Sequence, residues 1–200
     1  MQNDVIKDES SVSPAPALPL QQVQTMTLIG TFPPRKCGIA TFTQDLRDAI
    51  AGQIGLANTG VVAMDDSPGS YTYDDTVEFQ LPQHDRSKYR LAAELLNVDR
   101  IDVALLQHEY GLFGGEDGVD LLDLMTRLHM PIITTLHTVL KTPSDGQREV
   151  LNEIVRLSAR VVVMSQRAKA LLKDAYSVAE EKIALIPHGI HDLPFVDPHC

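Results

Sequence analysis

Seven short apolar runs punctuate the chain, separated by longer stretches in which apolar residues recur every three or four positions. The runs are MTLIGTF (26–32), VVAM (61–64), VEFQL (77–81), IDVALLQ (101–107), PIITTL (131–136), RVVVMS (160–165) and KIALIP (182–187). Most are continuously apolar, as strands covered on both faces are, whereas VEFQL alternates and reads as an edge strand. Between them, Ile39, Phe42, Leu46 and Ile50 make one helical stripe, and Tyr89, Ala92, Ala93 and Leu96 a second. A third holds Val119, Leu122, Met125 and Leu128. SDGQ at 144–147 pairs Ser144 with Gln147 as a capping box ahead of Val150, Ile154 and Leu157. Ser165 is placed to cap a last helix carrying Ala168, Leu171, Leu172 and Ala175. Alternation of this kind predicts an α/β fold with a doubly wound, mostly parallel, Rossmann-like sheet. Strands near 26–32, 101–107, 131–136 and 160–165 should be neighbours, with ligands at the carboxyl ends.

Composition narrows the classes. With 200 residues, 44% of them hydrophobic, the chain can bury a core, and no apolar run approaches the length of a membrane span. A formal charge of −10 argues against nucleic acid as a partner, because phosphate neutralisation needs clustered Lys and Arg. Cys37 and Cys200 are too few for a disulfide framework or a metal-binding cysteine motif, so a reducing, cytoplasmic setting is expected. Residues 1–24, with Pro14, Pro16 and Pro19, lack the basic and apolar regions of a signal peptide and read as a disordered leader. The folded domain is expected over 25–190, and 191–200 trails off as a linker.

Chemistry-bearing residues gather where strands end. PPRKCG after the first run delivers Arg35, Lys36 and Gly38 to the start of a helix near 39–41. Free amides and about half a positive charge at a helix N-terminus can seat a phosphate, and Gly38 would let a ligand approach closely. An ordinary strand-to-helix turn with solvated cations is the other reading. The G-x-G-x-x-G of a dinucleotide site is missing from this turn, which has Gly30 and Gly38 with two prolines between. His108, Glu109 and Tyr110 close the fourth run, where strand alternation lets only one of the first two face a given cleft. Gly114 and Gly115 follow, as a flexible loop or as the turn into the next helix. His137 closes the fifth run and can hydrogen-bond a sugar hydroxyl, or serve structure alone. His188 and His191 flank Gly189 without a third ligand nearby, so no metal is expected.

PPRKCGIATFTQDL, QHEYGLFGG, TTLHTVL and ALIPHGI, in this order and spacing, resemble the N-terminal half of a family 4 glycosyltransferase over roughly 25–198. The resemblance is to a bacterial, mannosyltransferase-like subgroup. It implies a retaining enzyme of the GT-B fold, in which two Rossmann-like domains face across a cleft. The N-terminal domain mainly binds a saccharide or lipid-linked acceptor, and the C-terminal one a nucleotide-sugar co-substrate. It further implies that Arg35 to Gly38 lie against the donor diphosphate and that His137 contacts the donor sugar as the catalytic-site residue. His108, Glu109, Tyr110, Gly114, Gly115, His188 and Gly189 become candidate substrate contacts, His188 standing where the family usually has Asn. The family's C-terminal domain, with its basic phosphate-binding residues, is not found before Cys200. The chain is therefore expected to be one GT-B N-terminal domain without its C-terminal partner, inactive alone, with at most peripheral membrane contact. A standalone binding or partner domain is the alternative, and an unrelated oxidoreductase is disfavoured by the missing glycine fingerprint.

Overall fold

A computed structural model describes residues 23–189. The expected leader (apart from Val23 and Gln24), His191 and the expected linker at 191–200 lie outside the described residues. Gln24 already belongs to the domain, since its amide and that of Thr25 donate to the Asp102 carboxylate at 2.8 and 3.0 Å.

The seven runs form one sheet in the order β3-β2-β1-β4-β5-β6-β7. Every pairing is parallel, so "mostly parallel" understated the result. At the centre, β1 (Met26–Gly30) lies between β2 (Thr59–Asp65) and β4 (Val103–His108). β5 (Ile132–Leu136), β6 (Arg160–Val163) and β7 (Ile183–Leu185) extend one side, and β3 (Val77–Pro82) forms the opposite edge. The four strands expected to be neighbours are β1, β4, β5 and β6, and they are consecutive. VEFQL is an edge strand, as its alternation predicts.

Right-handed crossovers decide which helix covers which face. From β1 the chain turns towards β2 through α1 (Gly38–Ile54), which packs on one face over Leu28, Val61 and Ala63. All later helical crossovers run the other way and fall on the opposite face: α2 (Arg86–Val98), α3 (Leu121–Met125), α4 (Asp145–Leu157) and α5 (Gln166–Tyr176). There Ile29, Val62, Leu106 and Ile132 pack with Tyr89, Leu121 and Ile154, while Val161 and Val163 pack with Leu151 and Leu172. Residues 66–76 join β2 to β3 without a helix. Among the described residues, α1 is thus the single long helix on its face, and Leu105, Ile133 and Val162 beyond it are only half-buried.

Two helical expectations change. On α1 the fully buried positions are Ala40, Thr43 and Ala51, whereas Ile39, Phe42, Leu46 and Ile50 are half-buried. Small residues let the helix sit close to the sheet, and the larger ones line its flank. The third predicted helix shrinks to α3, with Leu121, Leu124 and Met125 buried and Val119 exposed. Its approach is a turn in which Gly115, Asp117 and Gly118 all have positive φ, and no helix propagates through such residues. The Ser144–Gln147 capping box is present with both of its hydrogen bonds, and Ser165 caps α5.

Candidate functional site

Strand order reverses between β1 and β4, and a doubly wound sheet opens its crevice at such a point, beyond the carboxyl ends of the strands. A groove of about 1300 Å³ lies beside α1 over the uncovered sheet face. Its walls are Phe42, Leu46 and Ala49 of α1, and its floor is Leu105, Ile133, Val162 and Met164. Gly38, Gln107, Thr135, His188 and Gly189 edge it towards the carboxyl rim, and Asp45 and Asp48 lie on the helix side.

The turn after β1 is built to start α1. Cys37 is the N-cap: its Sγ accepts the amide of Ala40 at 3.3 Å and lies 3.2 Å from Thr31 Oγ1. Gly38 faces open space, so its backbone is accessible. Arg35 is otherwise engaged, donating to the Met64 carbonyl at 3.2 Å and pairing with Asp66 at 3.5 Å. Lys36 is exposed. The cations of this loop therefore divide, one tied to the end of β2 and one in solvent.

At the end of β4, alternation sends Leu105 and Gln107 to the groove and His108 to the other face. His108 is 2% exposed and stacks 6.1 Å from Phe113, with Tyr110 edge-on at 5.3 Å. Burial, aided by nearby His137, pulls its pKa down to about 4, so the ring is neutral. Glu109, past the strand, accepts the Tyr110 amide at 2.8 Å and the Thr138 hydroxyl at 2.6 Å, which ties the β4 loop to the β5 loop. Burial pushes the Tyr110 phenol up. Gly114 is required by packing: a Cβ there would meet the Gln83 carbonyl oxygen at 2.0 Å. Gly115 has φ +78°, a conformation that suits glycine.

His137 connects the motifs. Its amide donates to the His108 carbonyl at 3.0 Å, extending the β4–β5 ladder by one residue. Its Nε2 donates to Gln107 Oε1 at 2.9 Å. Phe42 stands edge-on to His137 at 4.9 Å and to His188 at 5.3 Å, so one aromatic ring of α1 spaces two imidazoles. Burial lowers the pKa of His137, Glu109 opposes this, and His188 adds to it. His188 Nδ1 donates to the Gly189 carbonyl at 2.9 Å.

The groove thus brings together Gly38, His188 and Gly189, with His137 against its Phe42 and Gln107 walls. His108 lies on the far side of the sheet, and Glu109, Tyr110, Gly114 and Gly115 shape the neighbouring loop. Gln107, Phe42 and Thr138 were not singled out from sequence. Alternation along LLQHEY points to Gln107, since it shares the face of Leu105, but Phe42 looked like an ordinary core position. Among the described residues no group of three or more His, Cys, Asp and Glu is placed to hold a metal ion. No described helix is long and apolar enough to cross a membrane.

No functionally curated protein matches the chain. Among solved structures, a glycosyltransferase from Rickettsia africae ESF-5 is similar, with a TM-score of 0.53 and 14% identity, over 84% of this chain and 44% of that one. The chain thus spans less than half the length of that protein, and the likeness is one of fold. The model of Glycosyltransferase Family 4 matches residues 61–192, more than half of the sequence, and the chain belongs to that family.

Proposed function

We propose that this domain is the acceptor-side wall of a cleft in which a sugar passes, with retention, from a nucleotide-sugar donor to a hydroxyl of a saccharide or lipid-linked acceptor. The observation carrying this reading is His137, held by Gln107 at 2.9 Å and by Phe42 edge-on, beside the groove bounded by Gly38 and Gly189. Its Nε2–H is committed to Gln107, so Nδ1 is the lone pair that can accept a hydroxyl hydrogen. In the transfer, the anomeric carbon breaks its bond to the diphosphate oxygen, which keeps the electron pair, and bonds to the acceptor oxygen, whose proton is taken up by that departing diphosphate. The site must therefore order a hydroxyl and stabilise a departing diphosphate.

The groove suits the first task better than the second. Asp45 and Asp48 lie along it, and Arg35 is bonded to Met64 and Asp66. The N-terminus of α1 at Gly38 adds one favourable anion contact, worth about 0.3–1 kcal/mol when exposed. That is a few-fold in affinity, far below the needs of a diphosphate. A second Rossmann-like domain facing the carboxyl rim is accordingly the donor holder, and the 200-residue chain alone is expected to transfer no sugar.

Incubating the purified chain with labelled sugar nucleotides and saccharide or lipid acceptors tests this division. No transfer is expected. Sustained transfer that disappears in His137→Ala would place donor binding within this domain and overturn the proposal.

A further inference from the structure

Gln107 is fully buried, lines the groove, and is fixed by three neighbours. On one side β1 has Gly30, where a Cβ would come within 2.9 Å of Gln107 Cβ and 3.2 Å of its Cγ. On the other, Gln107 pairs in register with Thr135 of β5, which edges the same groove. Ahead of it, Oε1 accepts from His137 Nε2 at 2.9 Å. Its own Nε2 is buried and finds no hydrogen-bond partner among the described residues. A primary amide has two hydrogens to give, and a site that buries them without a partner is suited to a ligand with a lone pair to offer.

We propose that Gln107 has two tasks here: its Oε1 fixes His137 as the Nε2–H tautomer, and its amide hydrogens bind a hydroxyl of the sugar in the groove. The inference rests on the acceptor-side reading above and adds the contact that this reading lacks. His137 Nδ1 is then an acceptor and Gln107 Nε2 a donor. A hydroxyl both donates and accepts, so it satisfies this pair, whereas an apolar ligand leaves the buried amide unmet. Gln107 acts on His137 as a positioning residue and on the sugar by direct contact. Gly30 is required because any larger residue would displace the amide.

The two tasks separate in one set of measurements on the ¹⁵N-labelled chain near neutral pH. Long-range ¹H–¹⁵N spectra report the tautomer of each histidine. The expected result is the neutral Nε2–H tautomer for His137 in the wild type, an imidazolium that still donates Nε2–H in Gln107→Glu, whose carboxylate holds the second proton on the ring, and exchange between tautomers in Gln107→Leu. Titration with methyl α-mannoside and methyl α-glucoside should move the Gln107 side-chain amide. Gln107→Glu, which keeps the acceptor and loses the donor, should bind them about five- to tenfold more weakly, the worth of one neutral hydrogen bond. A wild-type His137 carrying Nδ1–H, or a mixture of tautomers, overturns the positioning role without recourse to any variant. Shifts at Gly38 and Gly189 with an unmoved Gln107 amide overturn the hydroxyl contact and leave the acceptor-side reading standing. No shift around the groove with either glycoside overturns both. If Gln107→Leu does not fold, the wild type and Gln107→Glu decide.

Discussion

The Tyr89 hydroxyl accepts the backbone N–H of Gly114 at 2.9 Å and donates to the carbonyl of Gln83 at 2.8 Å. One fully buried side chain on α2 thereby joins the exit of β3 to the glycine loop after β4, and its burial pushes the phenol up to about 12. Tyr89→Phe should cost about 1–3 kcal/mol, because it leaves the buried Gly114 amide and the half-buried Gln83 carbonyl without their partner. Gly114→Ala should cost more, since the added Cβ meets Gln83 O at 2.0 Å and backbone has to move. Urea unfolding midpoints of the two variants check both values. A Tyr89→Phe midpoint equal to that of the wild type would show the link to be idle.

Acid should weaken the domain in a window set by His108. Its folded pKa is held at about 4, below the ordinary 6.5, by burial first and His137 second. Below 6.5 the unfolded chain takes up a proton that the folded one refuses. Stability is therefore complete above about 6.5 and falls as the pH drops towards about 4, by about 3 kcal/mol in all. His137, also depressed by burial, acts in the same direction. Asp65, raised by burial, acts oppositely, its contribution being present at low pH and lost as the pH rises. Unfolding midpoints across this window should give a clear slope in the wild type and a flatter one in His108→Phe, which keeps an aromatic ring against Phe113. Equal slopes would remove His108 as the cause.

Helix α4 should depend measurably on its first turn. Ser144 Oγ accepts the Gln147 amide at 3.1 Å, and Gln147 Oε1 accepts the Ser144 amide at 2.9 Å. Ser144→Ala is expected to cost about 1 kcal/mol. Ser144→Ala combined with Gln147→Ala should cost less than the two separate losses added together, because each side chain caps the other's amide. Strict additivity in a double-mutant cycle would contradict the reciprocal box.

The groove beside α1 should behave as exposed apolar surface in the folded chain. Phe42, Leu46, Val162 and Met164 line it, and Ile186 at its edge is 56% exposed. A fluorescent anilinonaphthalene dye is expected to bind the native protein, because contiguous apolar patches of this kind are uncommon on soluble monomers. Val162→Asp should cut the dye signal several-fold with little change in Tm, since Val162 is only half-buried. A signal unchanged by that substitution would put the dye elsewhere.

Much of this protein was legible in its sequence, for identifiable reasons. Continuous apolar runs marked the interior strands, although one face of β5 and β6 lies open to the groove instead of being covered; alternation in VEFQL marked an edge, and Ser144 and Ser165 marked helix starts. All of these follow from local periodicity and capping chemistry, which a linear string carries in full. The clustering of motif residues at strand ends was legible too, because parallel strands send their carboxyl ends to one rim.

Tertiary structure decided the rest. Strand alternation said that His108 and its neighbours must face opposite ways, but which way depended on where the helices went. Crossover handedness put α2 to α5 on the face of His108, so that ring became core and Gln107 received the groove. Phe42 belonged to a helical stripe whose period was clear, yet only the sheet geometry turned it towards His137 and His188. In the sequence Gly114 reads as part of a flexible loop or of the turn into the next helix; the carbonyl of Gln83, 31 residues earlier in the chain, makes it a packing requirement. Local sequence fixes which residues share a face, because backbone periodicity is local. What stands opposite that face is settled by contacts between distant segments, and those exist only once the chain has folded.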